Sequence, residues 1–261
     1  MREMFYADIL ENKLLLGEVY DMRLYAPKEV QKAKAGQFLS LYTGNAALLL
    51  PRPLSICAAD TVSGVFRVIY RAVGEGTREI ATLKPGDRVR LLGPLGSFYR
   101  VFPEHKRFAL VGGGMGAPPM LALAKKIRKE ALDAHISVFL GFRSKFQTIL
   151  EDDFKKYANE VIVATDDGTQ GIKGNAVQAL AADPNFDIIY GCGPKIMLKF
   201  LAKFAEEREI PCYVSVEEHM ACSVGACLAC VVKVKDGENW AYRRVCNTGP
   251  VFNAKELVWD E

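Results

Sequence analysis

Of the seven cysteines in this 261-residue chain, four fall in one segment, CSVGACLACVVKVKDGENWAYRRVC, at Cys222, Cys227, Cys230 and Cys246. Thiolates are soft, anionic ligands for iron and zinc, so three within nine residues must share a metal or be held apart. The spacing C-x4-C-x2-C, with a fourth cysteine arriving from a separate segment, is that of a plant-type [2Fe–2S] site. Small residues at Ser223, Gly225, Ala226 and Ala229 let the loop wrap tightly. Cys57, Cys192 and Cys212 sit alone in apolar or glycine-rich surroundings, which is free-thiol usage in a reducing compartment rather than a disulfide framework. A four-cysteine zinc site is commonly built from two C-x2-C knuckles. Only one is present here, so iron–sulfur is the expectation and structural zinc the alternative.

Two glycine turns could carry a nucleotide. ALVGGGMGAPP, residues 109–119, reads as a buried strand, a turn and a helix start, with Gly112, Gly114 and Ala117 satisfying G-x-G-x-x-G/A. Glycines there admit a pyrophosphate to the backbone, and a helix N-terminus offers free N–H groups. Pro118 and Pro119 suit the first helical turn. IIYGCGP, residues 188–194, repeats the strand–turn–helix pattern. It places Cys192 at the carboxyl end of a strand, where α/β ligands bind, unless that cysteine only packs the turn. Asp166 and Asp167 follow another strand on the same rim, as a polar turn or as partners for ribose hydroxyls. Arg143 ends a third strand and leaves room for a 2′-phosphate.

The elements that must hold these residues differ along the chain. Residues 1–100 carry short β-rich runs at 5–10, 18–25, 37–42, 66–72 and 88–92, separated by turns such as Lys84-Pro85-Gly86-Asp87, which suggests an antiparallel barrel. Residues 101–106 read as a linker. Over 107–217, apolar runs at 108–111, 136–140, 161–164, 188–190 and 214–216 alternate with helical patterns, the clearest at 118–132 and 194–209. That alternation means a parallel sheet flanked by helices. The cations at 125–129 read as the solvated face of their helix. Residues 218–261 form a cysteine loop and two short strands, too small for a core of their own unless a metal holds them. The fold expected is α+β and multidomain. Half the residues are hydrophobic and the net charge is +3, which gives no argument for nucleic acid. No apolar run reaches the roughly 18–20 residues a membrane span needs. The N-terminal MREMFYADIL lacks a signal-peptide h-region, so the chain reads as cytoplasmic.

Together, RPLS at 52–55, YR…GEGT at 70–77, GGGMGAPP, YGCGP and CSVGACLAC…RVCNTGPVF resemble the ferredoxin–NADP reductase superfamily. Within it, the whole chain is similar to the electron-transfer subunits of bacterial dihydroorotate dehydrogenase B. The resemblance implies a flavin-binding barrel, a dinucleotide domain and a [2Fe–2S] module. It places FAD against Arg52, Pro53, Leu54, Ser55, Ile69, Tyr70 and Arg71, with Gly76 and Thr77 near its phosphates. It places NAD against Gly112, Gly113, Gly114, Gly116, Gly191, Gly193 and Pro194, with Cys192 as the catalytic residue near the nicotinamide. Cys222, Cys227, Cys230 and Cys246 would be the cluster ligands. Many reductases of the superfamily stack an aromatic on the flavin where this chain has Leu54, which leaves Tyr70 or another group to cover the ring. The implied partner is an FMN-containing dihydroorotate dehydrogenase catalytic subunit, in a heterotetramer of two of each, acting in pyrimidine biosynthesis. Relatives on the same plan serve ferredoxin or sulfur species, and a zinc-holding, non-redox assembly module is the reading from a different class.

Overall fold

In the computed structural model, which describes residues 4–259, the first strands close into a barrel. They are β1 (Met4–Leu16), β2 (Val19–Tyr25), β3 (Phe38–Tyr42), β4 (Arg52–Asp60), β5 (Val65–Arg71) and β6 (Arg88–Leu95), with helix α1 (Glu75–Thr82) between the last two. The order around the barrel is β1-β2-β5-β4-β3-β6 and every pairing is antiparallel. Period-two burial explains it: Met22 and Leu24 on β2, Leu54 and Ile56 on β4, and Phe66 and Val68 on β5 all point inward. Sequence reading missed β4, because RPLSICAAD carries a proline and no clean alternation. Pro53 is tolerated because that stretch of β4 pairs on one side only. Its partner is Ser40 on β3, whereas the β4–β5 pairing runs from Asp60↔Val65 to Ile56↔Val68 and no further among the described residues. Gly76 and Thr77, expected near the flavin phosphates, lie in the first turn of α1.

Residues 101–106 have no regular structure. The second layer system then contains β7 (Arg107–Gly113), α2 (Ala117–Glu130), β8 (His135–Phe142), α3 (Glu151–Phe154), β9 (Glu160–Thr165), β10 (Ile172–Lys173), α4 (Ala176–Ala181), β11 (Ile188–Cys192), α5 (Lys195–Glu207) and β12 (Cys212–Ser215). The strands lie in parallel in the order β10-β9-β8-β7-β11-β12. Both faces are covered, which is why β7 reads as a continuous apolar run. Phe108 and Leu110 face α2, α3 and the barrel, while Ala109 and Val111 face α4 and α5. On α5, Leu198, Leu201, Phe204 and Ala205 form one buried apolar stripe, while Met197 is half-buried at the cavity described below. Full burial of each large apolar side chain contributes about 1.5–3 kcal/mol. Arg128 departs from the expected solvated face. Its guanidinium donates to the carbonyls of Tyr157, Leu132 and Ala134 and to Asn159 Oδ1, tying the end of α2 to the next strands.

The last strands are β13 (Val231–Asp236), β14 (Asn239–Arg244) and β15 (Val251–Asn253). β13 and β14 form a separate hairpin, but β15 runs antiparallel to β12 and extends the main sheet to seven strands. Residues 1–3 and 260–261, the outer ends of the first and last units expected from the sequence, lie outside the described residues.

Barrel and sheet are clamped through Arg67 on β5. Its guanidinium meets Asp21 of β2 at 2.8 Å and Asp153 of α3 at 2.9 Å. Asp21 is only 1% exposed. Replacing Arg67 with Met therefore strands a buried carboxylate and is expected to cost about 3–5 kcal/mol. Urea denaturation of the purified protein checks this, and a loss under about 1 kcal/mol would show that the clamp is idle. Burial alone would raise the Asp153 pKa, but hydrogen bonds from Lys156 and Arg67 outweigh it and the carboxyl titrates below 3.8. The contribution of Asp153 is thus present above that value and is lost as pH falls through the lowered one.

Candidate functional site

A cavity of about 650 Å³ opens at the carboxyl ends of β7, β8, β9 and β11. Two glycine turns make its floor. Gly114 has φ +53° and Gly193 φ +157°, and a Cβ on Gly113 would lie 2.6 Å from Met197 Sδ. A Cβ on Gly116 would collide with the carbonyl of Cys192, so the turns after β7 and β11 touch backbone to backbone. The cavity is lined by the turn Gly113–Gly116 rather than by the first turn of α2, where Pro118 and Pro119 have no N–H and the Ala117 N–H is bonded to the Gly114 carbonyl. Asp166, Arg143, Phe142 and Asn175 line the far rim. Asp167 does not share that role, since its carboxylate accepts from Thr169 N and Oγ1 inside the turn. Cys192 is 1% exposed and is not among the lining residues, and burial pushes its thiol pKa far up. Its sequence neighbours Gly193 and Pro194 do line the cavity. Gly112 and Gly191 lie within their strands rather than on the wall. The Gly191 carbonyl is held by Tyr99 Oη at 2.8 Å.

The segments expected at the flavin face each other where the barrel splays. Arg52, Pro53 and Ser55 pair only with β3, while Ile69, Tyr70 and Arg71 pair only with β2. Backbone groups along both edges are thereby left without a ladder partner, an opening lined by donors and acceptors. Leu54 is buried in the barrel core and offers no surface for stacking. Nor does the Tyr70 ring. It is 2% exposed, stacks on Tyr20 at 5.6 Å, and its hydroxyl meets Asn12 Oδ1 at 3.0 Å. The Arg52 guanidinium crosses the start of α1 where Gly76 has no side chain, and Thr77 Oγ1 caps that turn by accepting from Gly74 N. Arg71, at the end of its strand, reaches the wall of the cavity.

The cysteine loop curls around its own sulfur atoms. Ser223, Gly225 and Leu228 all have φ in the left-handed region, at +58°, +86° and +60°. For the two non-glycine residues this costs roughly 1–2 kcal/mol each. The turned backbone aims Ala226 N and Cys227 N at Cys222 Sγ, at 3.3 and 3.4 Å. Burial pushes the Cys222 thiol up, yet these and the Val224 N–H outweigh it and hold its pKa at about 6. Cys246 is pushed up to about 12 by burial and by the neighbouring Cys230 and Cys222 sulfurs. Among the described residues no three His, Cys, Asp or Glu side chains converge on one ion. The thiols instead associate in two pairs, Cys222 with Cys227 and Cys230 with Cys246. Two pairs of crowded thiols suit a centre of two irons with two protein ligands each, whose positive charge lets all four ionise.

The loop is anchored to the barrel by Ser40 Oγ and Ser223 Oγ, 2.7 Å apart and both buried, and to the hairpin by Arg244 Nη1 on the Gly225 carbonyl at 2.9 Å. Ser40 pairs with Pro53. The cysteine loop therefore lies against the strand next to the splayed edge, and that edge ends in the cavity wall at Arg71. Sequence reading missed Ser40, Tyr99 and Glu217. Glu217 lines the cavity just past β12 with its side chain open to solvent, and the protein walls crowding the carboxyl raise its pKa. The strand-end rule that singled out Cys192 also reaches Glu217. Ser40 leaves only a weak trace, as the one serine in FLSLY.

Barrel, parallel sheet and cysteine loop define an oxidoreductase of the ferredoxin-reductase fold with an iron–sulfur binding domain. Residues 217–258 match the family model described as the iron–sulfur cluster binding domain of dihydroorotate dehydrogenase B. A protein of Geobacillus kaustophilus named dihydroorotate dehydrogenase B (NAD(+)), electron transfer subunit, is 41% identical over 254 residues, covering 96% of each chain. One of the same name from Clostridium perfringens is 36% identical, covering 98% of each. This chain belongs to the family of dihydroorotate dehydrogenase B electron transfer subunits. Among solved structures, that of an NADH-dependent reduced ferredoxin-NADP oxidoreductase, studied for flavin-based electron bifurcation, superposes with a TM-score of 0.85 at 31% identity, over 97% of this chain and 90% of that one. A carbazole 1,9a-dioxygenase ferredoxin reductase, at 22% identity and a TM-score of 0.67 over 80% of this chain and 67% of that one, shares the fold.

Proposed function

We propose that this chain carries electrons between NAD and the FMN of a dihydroorotate dehydrogenase catalytic subunit, with FAD at the splayed barrel edge and a [2Fe–2S] cluster in the cysteine loop. Flavin exchanges hydride with NADH yet passes single electrons, which is the chemistry needed between a two-electron donor and an iron–sulfur centre. Arg52, Pro53, Ser55 and the backbone of Ile69, Tyr70 and Arg71 hold the flavin. The first turn of α1, at Gly76 and Thr77, receives its phosphates. Gly113, Gly114, Gly116, Gly193 and Pro194 hold the dinucleotide. Glu217 lies on the wall on its sheet side, where its carboxyl can order the nicotinamide end, while Cys192, buried beside that wall, sets the turn that Gly193 and Pro194 present. Cys222, Cys227, Cys230 and Cys246 ligate the cluster. The observation that carries this reading is continuity: the Ser40–Ser223 hydrogen bond joins the cysteine loop to β3, which pairs with β4 of the splayed edge, and Arg71 on β5 carries that edge to the cavity.

The partner docks over residues 220–229, where Cys227 is exposed. Two copies of each subunit assemble in the cytoplasm, in keeping with seven unpaired cysteines. An anaerobic visible spectrum before and after NADH tests the relay. Flavin bands over a broad iron–sulfur shoulder, both bleaching, are expected. A colourless, zinc-containing protein would sink the redox reading. A second reading, electron delivery to ferredoxin, is favoured by the 31% identical solved structure. Co-purification of an FMN-bearing partner separates the two.

Within the cavity, Asp166 is the carboxylate free to accept both hydroxyls of the adenosine ribose, and it repels a 2′-phosphate, while neighbouring Arg143 attracts one. Replacing Asp166 with Ser is expected to lower kcat/KM for NADH about tenfold and raise that for NADPH, a shift worth a modest charge contact. An unchanged ratio of the two would remove Asp166 from cofactor choice.

A further inference from the structure

On the side away from the dinucleotide cavity, a second cleft of about 760 Å³ lies between the segment after the barrel, the β12–β15 edge and the hairpin. Its cations are Arg100, Lys235 and Arg243, all exposed, and none forms an ion pair among the described residues. One carboxylate, Glu256, shares the lining, so the cleft remains positive. Lys34 adds a charge beside it, with Nζ 4.0 Å over the Phe98 ring. In a chain whose net charge is only +3, this is a local concentration of unsatisfied positive charge.

The walls are aromatic. Phe102 is half-buried and stacks on Tyr213 at 5.7 Å; Tyr213 continues onto Tyr190, and Tyr190 onto Phe108. Phe98 and Phe252 complete the lining. This ladder of rings is anchored in the core and ends at the cleft, so its open end is a rigid, flat, apolar surface. Arginine forks beside such a surface suit a phosphate joined to a planar ring. The volume lies in the range of ordinary small-molecule sites. Neither glycine turn, nor the splayed barrel edge, nor the cysteine loop contributes to this lining.

We propose that this cleft is a second, separate nucleotide site that takes a nucleoside monophosphate, its phosphate on Arg100 and Arg243 and its base against the Phe102–Tyr213 stack. Binding there bears on electron transfer through position: Thr248 and Arg243 in the lining flank Cys246 in sequence. The test uses the full chain, first as isolated with its bound cofactors and then saturated with NADH, titrated calorimetrically with UMP, AMP and inorganic phosphate. At least one nucleotide is expected to bind about tenfold more tightly than phosphate, since stacking adds to the charged contact. NADH should leave that binding unchanged. The double variant Arg100→Glu, Arg243→Glu should weaken it at least about tenfold, while NADH-to-dye activity and melting temperature hold. Equal affinity for phosphate, competition with NADH, or binding that survives the double variant overturns the proposal. So does absence of nucleotide binding when the same variant weakens association with the catalytic partner, which would make the cleft a docking surface for an acidic protein segment.

Discussion

Replacing Cys227 with serine is expected to remove the iron–sulfur absorbance and lower electron delivery to the partner by more than about 100-fold, exceeding the effect of losing an outer-shell contact to a metal. A serine hydroxyl neither ionises near neutral pH nor offers a soft donor. NADH-to-dye activity should persist, because the cavity and the splayed edge do not include the loop. Cys227 is exposed, so the change opens no hole in the core. Visible spectra, iron content and the two activities measured side by side decide the matter. Loss of both activities would mean that the centre holds the fold as well as the electrons.

The second large effect belongs to Gly116. A Cβ there collides with the backbone carbonyl of Cys192, and neither partner is a flexible side-chain end that can swing away. Gly116→Ala must push apart the two turns that make the cavity floor. Overpacking of this kind costs about 1–3 kcal/mol in stability. A displacement of roughly 1 Å at a positioning surface costs about 100-fold in rate. The expected outcome is a fall of that order in kcat/KM for NADH, with flavin and iron content retained. Steady-state kinetics with a dye acceptor checks it, and a change under about threefold would show that the turns part freely.

Much of this architecture was legible from residue spacing. The cysteine loop announced itself because ligand chemistry imposes a fixed spacing, and the two glycine turns because strand, turn and helix leave distinct patterns. Other parts left little trace. β4 was hidden because Pro53 and the alanines blur its alternation, and its one-sided pairing is a tertiary fact. The strand-end position of Cys192 is real, yet the residue is buried and does not line the cavity, because strand-end placement does not say which way a side chain points. Tyr70 looked available to cover a flavin ring, but parity along β5 turns it into the barrel. Ser40, a lone serine between two leucines, could be understood only once residue 223 was beside it.

The return of β15 to the edge of the sheet has a consequence for how such chains diversify. Ser215 and Val251 face each other across an antiparallel pair, so residues 216–250 leave and re-enter the sheet at adjacent points. The metal-binding excursion is in effect an elaborate loop grafted between neighbouring strands. A lineage could shorten, exchange or discard such a cassette and still close the sheet behind it, retaining a two-cofactor reductase that addresses a different acceptor.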